Sequence, residues 1–154
     1  MKPSEIRNKI TSFISEWLGR PYTEKWMDSR QCVGGAKLFV KEVYGITLWS
    51  FGGTAYTGRL NENNTFDPKI WNTINYREFD QQPSVWSLVW FAPTKENPAG
   101  HIGMCVYKLN DWKIGMLELN GGEIGKNKKW DEFNIRVRGL QNCLGYRRIK
   151  FEKN

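Results

Sequence analysis

The sequence predicts an α+β fold, with helices in the first third and an antiparallel sheet of about five strands after them. Three observations predict it. Apolar residues recur at helical spacing in two early segments, one after Ser4 and one after Cys32. The second half then changes to short runs rich in Val, Ile, Trp, Tyr and Phe, broken by Pro, Gly, Asn and Asp clusters. Finally, 154 residues with 40% hydrophobic content suit one core, so residues 1–154 are read as a single domain.

The first helix is expected to start at Ser4, an N-cap residue type following Pro3. Ile6, Ile10, Phe13, Ile14 and Trp17 mark its buried stripe, and Gly19 with Pro21 ends it. A polar and aromatic loop, RPYTEKWMDSRQ, leads to Cys32. From there Val33, Ala36, Val40 and Val43 fall on one helical face, closed by Gly45. Residues 46–72 read as irregular, with one short helix from Thr54 to Asn61. Strands are expected near 74–79, 85–91, 101–107, 113–120 and 144–151.

Composition narrows the class of partner. Net charge is +7, which favours anionic partners: nucleic acid, anionic membrane, or wall polymers such as teichoic acids. No run of five like charges occurs, so the usual basic nucleic-acid tail is missing. No apolar stretch is long enough for a bilayer span or uninterrupted enough for a Sec signal. Eight Trp residues serve either the core or a groove with exposed rings. The three cysteines, at 32, 105 and 143, are widely spaced and odd in number. They form neither a disulfide framework nor a C-x-x-C zinc pattern, and free thiols are expected.

The chemistry concentrates on a few residues. Cys32 opens a helix, where free backbone N–H groups and the helix dipole favour a thiolate. Those N–H groups suit an oxyanion as well, and Gln31 is positioned to add a side-chain donor. The plain alternative is a buried Cys acting as a small apolar residue. His101 is the sole histidine and opens the strand HIGMCVY, so any histidine chemistry must be here. In KIGMLELNGG, Leu117 and Leu119 alternate with Glu118 and Asn120. A period of two puts the carboxylate and amide on one face, where either could orient a catalytic imidazole. A solvent-facing polar pair before a turn is the plain alternative there. Cys105 lies mid-strand without a helix start beside it and reads as core. Cys143 falls in a late loop, QNCLG, and has no assigned role.

The stretches RQCVGGAKLFVKEVYG, FGGTAYTG, SLVWFAPTKENPAGHIGMCV and MLELNGG, in this order and spacing, resemble the CHAP family of papain-like cysteine, histidine-dependent amidohydrolases and peptidases, common in phage lysins. The match runs over roughly residues 20–150. It implies a papain-like fold with the Cys-bearing helix packed on the sheet. It also implies Cys32 as nucleophile, His101 as base, Glu118 as its orienter and Asn120 as an assisting polar group. The implied activity is hydrolysis of an amide bond in peptidoglycan, by an endopeptidase or an N-acetylmuramoyl-L-alanine amidase. Gly34 stands where the family often has Asp, and Trp86-Ser87 where it often has Gly-Asp. The Asp-rich calcium loop of some phage members is reduced here to Glu24 and Asp28, so no cofactor is expected and calcium is not supported. The expected setting is synthesis in a host cytoplasm, then action on the wall as an endolysin or as a virion component beside other tail proteins. A basic, Trp-rich module that binds wall polymer or nucleic acid without catalysis is the competing reading; no nucleic-acid recognition motif accompanies it.

Overall fold

A computed structural model describes residues 2–20, 32–48, 66–75, 83–96, 98, 100–119 and 132–150. Among these residues two helices, α1 (Pro3–Trp17) and α2 (Cys32–Tyr44), precede six strands. The strands are β1 (Trp71–Asn75), β2 (Leu88–Phe91), β3 (His101–Asn110), β4 (Lys113–Leu119), β5 (Phe133–Gly139) and β6 (Cys143–Ile149). They form one sheet in the order β1-β6-β2-β3-β4-β5. Every neighbouring pair is antiparallel. The predicted α+β class, with helices packed on an antiparallel sheet, is what the chain adopts.

Helix α1 starts two positions earlier than expected. Its N-cap is Lys2, Pro3 occupies the first turn, and Ser4 lies inside the helix. Pro fits there because that position has no intrahelical N–H bond to lose. Glu5 closes the start by accepting from the Lys2 backbone N–H at 3.0 Å, half of a capping box. Ile6, Ile10 and Phe13 make the buried stripe. Gly19, at φ 79°, then turns the chain. Its N–H donates to the Phe133 carbonyl at 2.8 Å, and Leu18 bridges Phe133 in parallel. The exit of α1 thus covers the beginning of β5, which would otherwise be an open edge.

Helix α2 is the central element. It buries Leu38, Phe39 and Tyr44 besides Val33, Ala36, Val40 and Val43, because α1 lies on one side and β3 and β4 on the other. Such double coverage requires an apolar surface nearly all round. Gly35 permits the approach to the sheet. A Cβ there would stand 2.6 Å from Leu119 Cβ and 3.2 Å from the Phe133 ring. Gly45, at φ 70°, stops the helix, donating its N–H to the Lys41 carbonyl at 2.9 Å.

The main core lies between the helices and one face of the sheet. Phe13 is its hub, edge-on to Phe39 and Phe133 with centroids 5.2 and 5.5 Å away. The other face carries a smaller cluster of Val89, Phe91, Cys105, Ile114, Met116, Leu140, Cys143 and Tyr146.

The structure departs from the expected elements at several points. Among the described residues the sheet has six strands rather than about five, because Phe133–Gly139 forms a strand outside the expected set. Phe133, Ile135 and Val137 do alternate with Asn134, Arg136 and Arg138, a period-2 signal. Ile135 and Val137 are exposed, and the segment is held as a strand by its pairing with β4. Strand β1 starts at Trp71, three positions before the expected 74, because Trp71 pairs with Ile149. Strand β2 begins only at Leu88, after a turn in which Trp86 adopts φ 73°. This left-handed backbone favours glycine. Cys143 is the first residue of β6 and is buried, not part of a loop. The expected helix at Thr54 to Asn61 lies outside the described residues.

Candidate active site

Cys32 is the first residue of α2 and is partly exposed. The helix presents its free N–H groups and positive dipole end at this position. His101 is the first residue of β3 and nearly buried, at 7% exposure. Gly100 before it, at φ 71°, makes the turn into the strand. Phe91, directly opposite on β2, packs near the ring with centroids 6.5 Å apart. The third residue, Glu118, lies on β4 and is fully buried. Its neighbours Leu117 and Leu119 enter the core beneath the helices, so the carboxylate is directed to the opposite face.

These three side chains converge. His101 Nε2 lies 2.7 Å from Glu118 Oε2, and Cys32 is near enough to act on the ionisation of the ring. With Nε2 committed to the carboxylate, Nδ1 is the nitrogen left for the thiol. Gly103 makes room for this geometry. A Cβ there would come 3.2 Å from Glu118 Cβ and 3.1 Å from the Leu117 carbonyl, so its bare backbone lets Glu118 reach across toward His101.

The electrostatics match the geometry. Burial alone opposes the His101 imidazolium, but its interaction with Cys32 and the hydrogen bond and charge of Glu118 overcome this and push it up to about 9. Burial likewise favours a neutral Glu118. The hydrogen bonds and charges of His101 and Arg138 reverse that and hold its carboxyl below the usual range. Arg138, on β5, is a member of the cluster that no local sequence pattern marks. Its Nε donates to Glu118 Oε2 and its Nη2 to Oε1, each at 2.7 Å.

Cys105 lies in the second apolar cluster, where burial pushes its thiol up to about 11. A thiol so raised is a poor nucleophile at neutral pH. Gln31 and Asn120 lie outside the described residues, as do Glu24 and Asp28 of the reduced calcium loop. Among the described residues no three His, Cys, Asp or Glu side chains cluster as a metal site requires. None of the described helices is long and apolar enough to cross a membrane.

No protein-family model matches the chain, and no curated protein matches it. Solved structures do match. The endolysin LysIME-EF1 aligns with a TM-score of 0.70 at 15% identity, over 94% of this chain and 64% of that one. The fold is similar to that of an endolysin. Ly7917 aligns with a TM-score of 0.62 at 15% identity, over 92% of this chain and 62% of its own. Ly7917 with the hydrolyzing product of MDP gives 0.59 at 14% identity, over 95% and 62%. The chain therefore spans less than two thirds of the length of these structures. At such identity the likeness concerns the fold, and the side chains must speak for the chemistry.

Proposed function

We propose that the chain is a cysteine-dependent peptidoglycan hydrolase of the CHAP type, with Cys32 as nucleophile and His101 as its acid–base partner. One observation carries the reading: the sole imidazole is hydrogen-bonded to a buried carboxylate and lies within electrostatic reach of a thiol at a helix start. This is the nucleophile, base and orienter arrangement of covalent acyl transfer. Peptidoglycan as substrate rests on the sequence resemblance, on the fold shared with the endolysin LysIME-EF1, and on the net charge of +7, which suits anionic wall polymers.

His101 is raised to about 9, so an imidazolium left holding the proton of Cys32 is favoured at neutral pH. The sulfur attacks the carbonyl of an amide bond. The N–H groups at the start of α2 donate to the developing oxyanion, with Gln31 as a further donor. His101 protonates the departing amine, and the thioester forms as the C–N bond breaks. A water molecule, deprotonated by the now neutral His101, then attacks the thioester and releases the acid and the thiolate. Glu118 keeps the ring oriented throughout, and the sequence resemblance adds Asn120 as an assisting polar group. The bond cleaved is either within the wall peptide or between muramic acid and alanine.

The test uses purified cell walls. Cys32→Ala is expected to abolish release of soluble fragments while leaving the thermal unfolding midpoint unchanged, since the side chain is small and partly exposed. Full activity in that variant would overturn the mechanism. Mass analysis of the fragments released by the unaltered protein assigns the bond: new amino termini within peptides mark an endopeptidase, and peptide-free muramic acid marks an amidase.

A further inference from the structure

Arg138 lies on β5, an edge strand of the sheet, and its sequence neighbourhood gives it no obvious chemical role. Yet its guanidinium grips both oxygens of Glu118 in a two-bond fork, each bond 2.7 Å long. One of those oxygens, Oε2, also faces His101 Nε2. We propose that Arg138 is a positioning residue for the Cys32–His101 pair, acting through Glu118. The proposal rests on the reading of the chain as a Cys–His hydrolase.

Two physical arguments carry it. The first concerns direction. A planar guanidinium fixes the carboxylate plane, and so fixes where Oε2 points. His101 takes its orientation from that oxygen, and the direction of the ring toward Cys32 follows. The second concerns charge through the reaction cycle. Glu118 is fully buried, whereas the Arg138 side chain is 31% exposed and reaches toward solvent. Once His101 has given its proton to the leaving amine, it no longer offers Glu118 a positive partner. An isolated buried carboxylate is costly and would take up a proton. Arg138 is a cation that stays, so Glu118 remains ionised and ready for the returning imidazolium. A lysine supplies the charge but cannot supply the fork.

The experiment compares Arg138→Gln and Arg138→Lys with the unaltered protein on a soluble peptidoglycan fragment, reading kcat and KM across pH. Arg138→Gln is expected to lower kcat about tenfold to a hundredfold, with KM unchanged. Its acid limb should move to higher pH, because Glu118 then protonates more readily. Arg138→Lys should restore the acid limb and leave kcat several-fold low. A merely structural arginine would alter the unfolding midpoint and leave the pH profile in place. Unaltered kcat and acid limb in Arg138→Gln would overturn the proposal. If that variant does not fold, an Arg138→Lys protein identical to the unaltered one in kcat would do so, since the fork is then dispensable. Failure of the underlying reading has its own signature: Cys32→Ala cleaving the same fragment at the unaltered rate.

Discussion

At the level of single residues, His101 reports on the whole cluster. It is raised to about 9 by Cys32 and Glu118 against the effect of burial. In the proposed mechanism the working form carries the imidazolium, so kcat/KM should fall on the alkaline side near pH 9. Glu118→Gln keeps the shape and removes the charge. It should move that limb to lower pH and reduce kcat/KM by about 10²–10⁴-fold. A pH–rate profile of the two proteins checks both statements, and coincident alkaline limbs would remove Glu118 from the mechanism. The chain has one histidine, so its ring resonances in an NMR titration give the same pKa directly, without assignment. Cys105 is a useful contrast. It shares the strand with His101, yet burial raises its thiol to about 11 and it has no helix start beside it. Alkylation by iodoacetamide below pH 7 should accordingly reach Cys32 and spare Cys105.

At the level of elements, the site depends on how closely α2 lies against β4. Gly35 sets that distance, with room for no Cβ between its backbone and Leu119. Gly35→Ala would gain up to about 1 kcal/mol of helix propensity, and it would overpack a contact that cannot yield without moving the backbone. The net expectation is destabilisation by about 1–3 kcal/mol, read as a lower urea midpoint with an unchanged m-value. The same displacement carries Cys32 away from His101, so wall hydrolysis should fall as well. Equal or greater stability in the Gly35→Ala variant would show that the helix is free to ride outward. Strand β5 makes a related point. It supplies Phe133 to the core, Arg138 to Glu118, and a backbone partner for Gly19 after α1. The alternation of Phe133, Ile135 and Val137 is legible in the sequence. Its meaning is not, because two of those three residues are exposed and only pairing with β4 makes the segment a strand.

Over the whole molecule, the buried titrating groups couple folding to pH. The His101 imidazolium is favoured in the folded state, at about 9 against an ordinary 6.5. Below pH 6.5 both folded and unfolded chains carry the proton, and this stabilisation is complete. Between 6.5 and 9 only the folded chain retains it, so stability declines as pH rises. Cys105 extends the decline further. Its folded thiol keeps its proton to about 11, whereas the unfolded thiol ionises near 9. Thermal midpoints measured from about pH 6 to 10 should therefore descend through this window. A level or rising curve would contradict the ionisation state assigned to His101.

The amino-acid order determined the class of fold and marked three of the side chains that the candidate site brings together. Helical spacing after Cys32, the lone His101 opening an apolar strand, and the alternation around Glu118 are local patterns, visible because backbone periodicity projects directly onto sequence. Tertiary structure decided the rest. The sixth strand, the entry of Cys143 into β6, and the left-handed backbone at Trp86 depend on partners remote in the chain. So does Arg138, which meets Glu118 only because β5 lies beside β4. Sequence spacing encodes which face a side chain occupies. Which strand becomes its neighbour is settled by packing among segments far apart in the chain, and it is that packing that gathers Cys32, His101, Glu118 and Arg138 at one end of a helix.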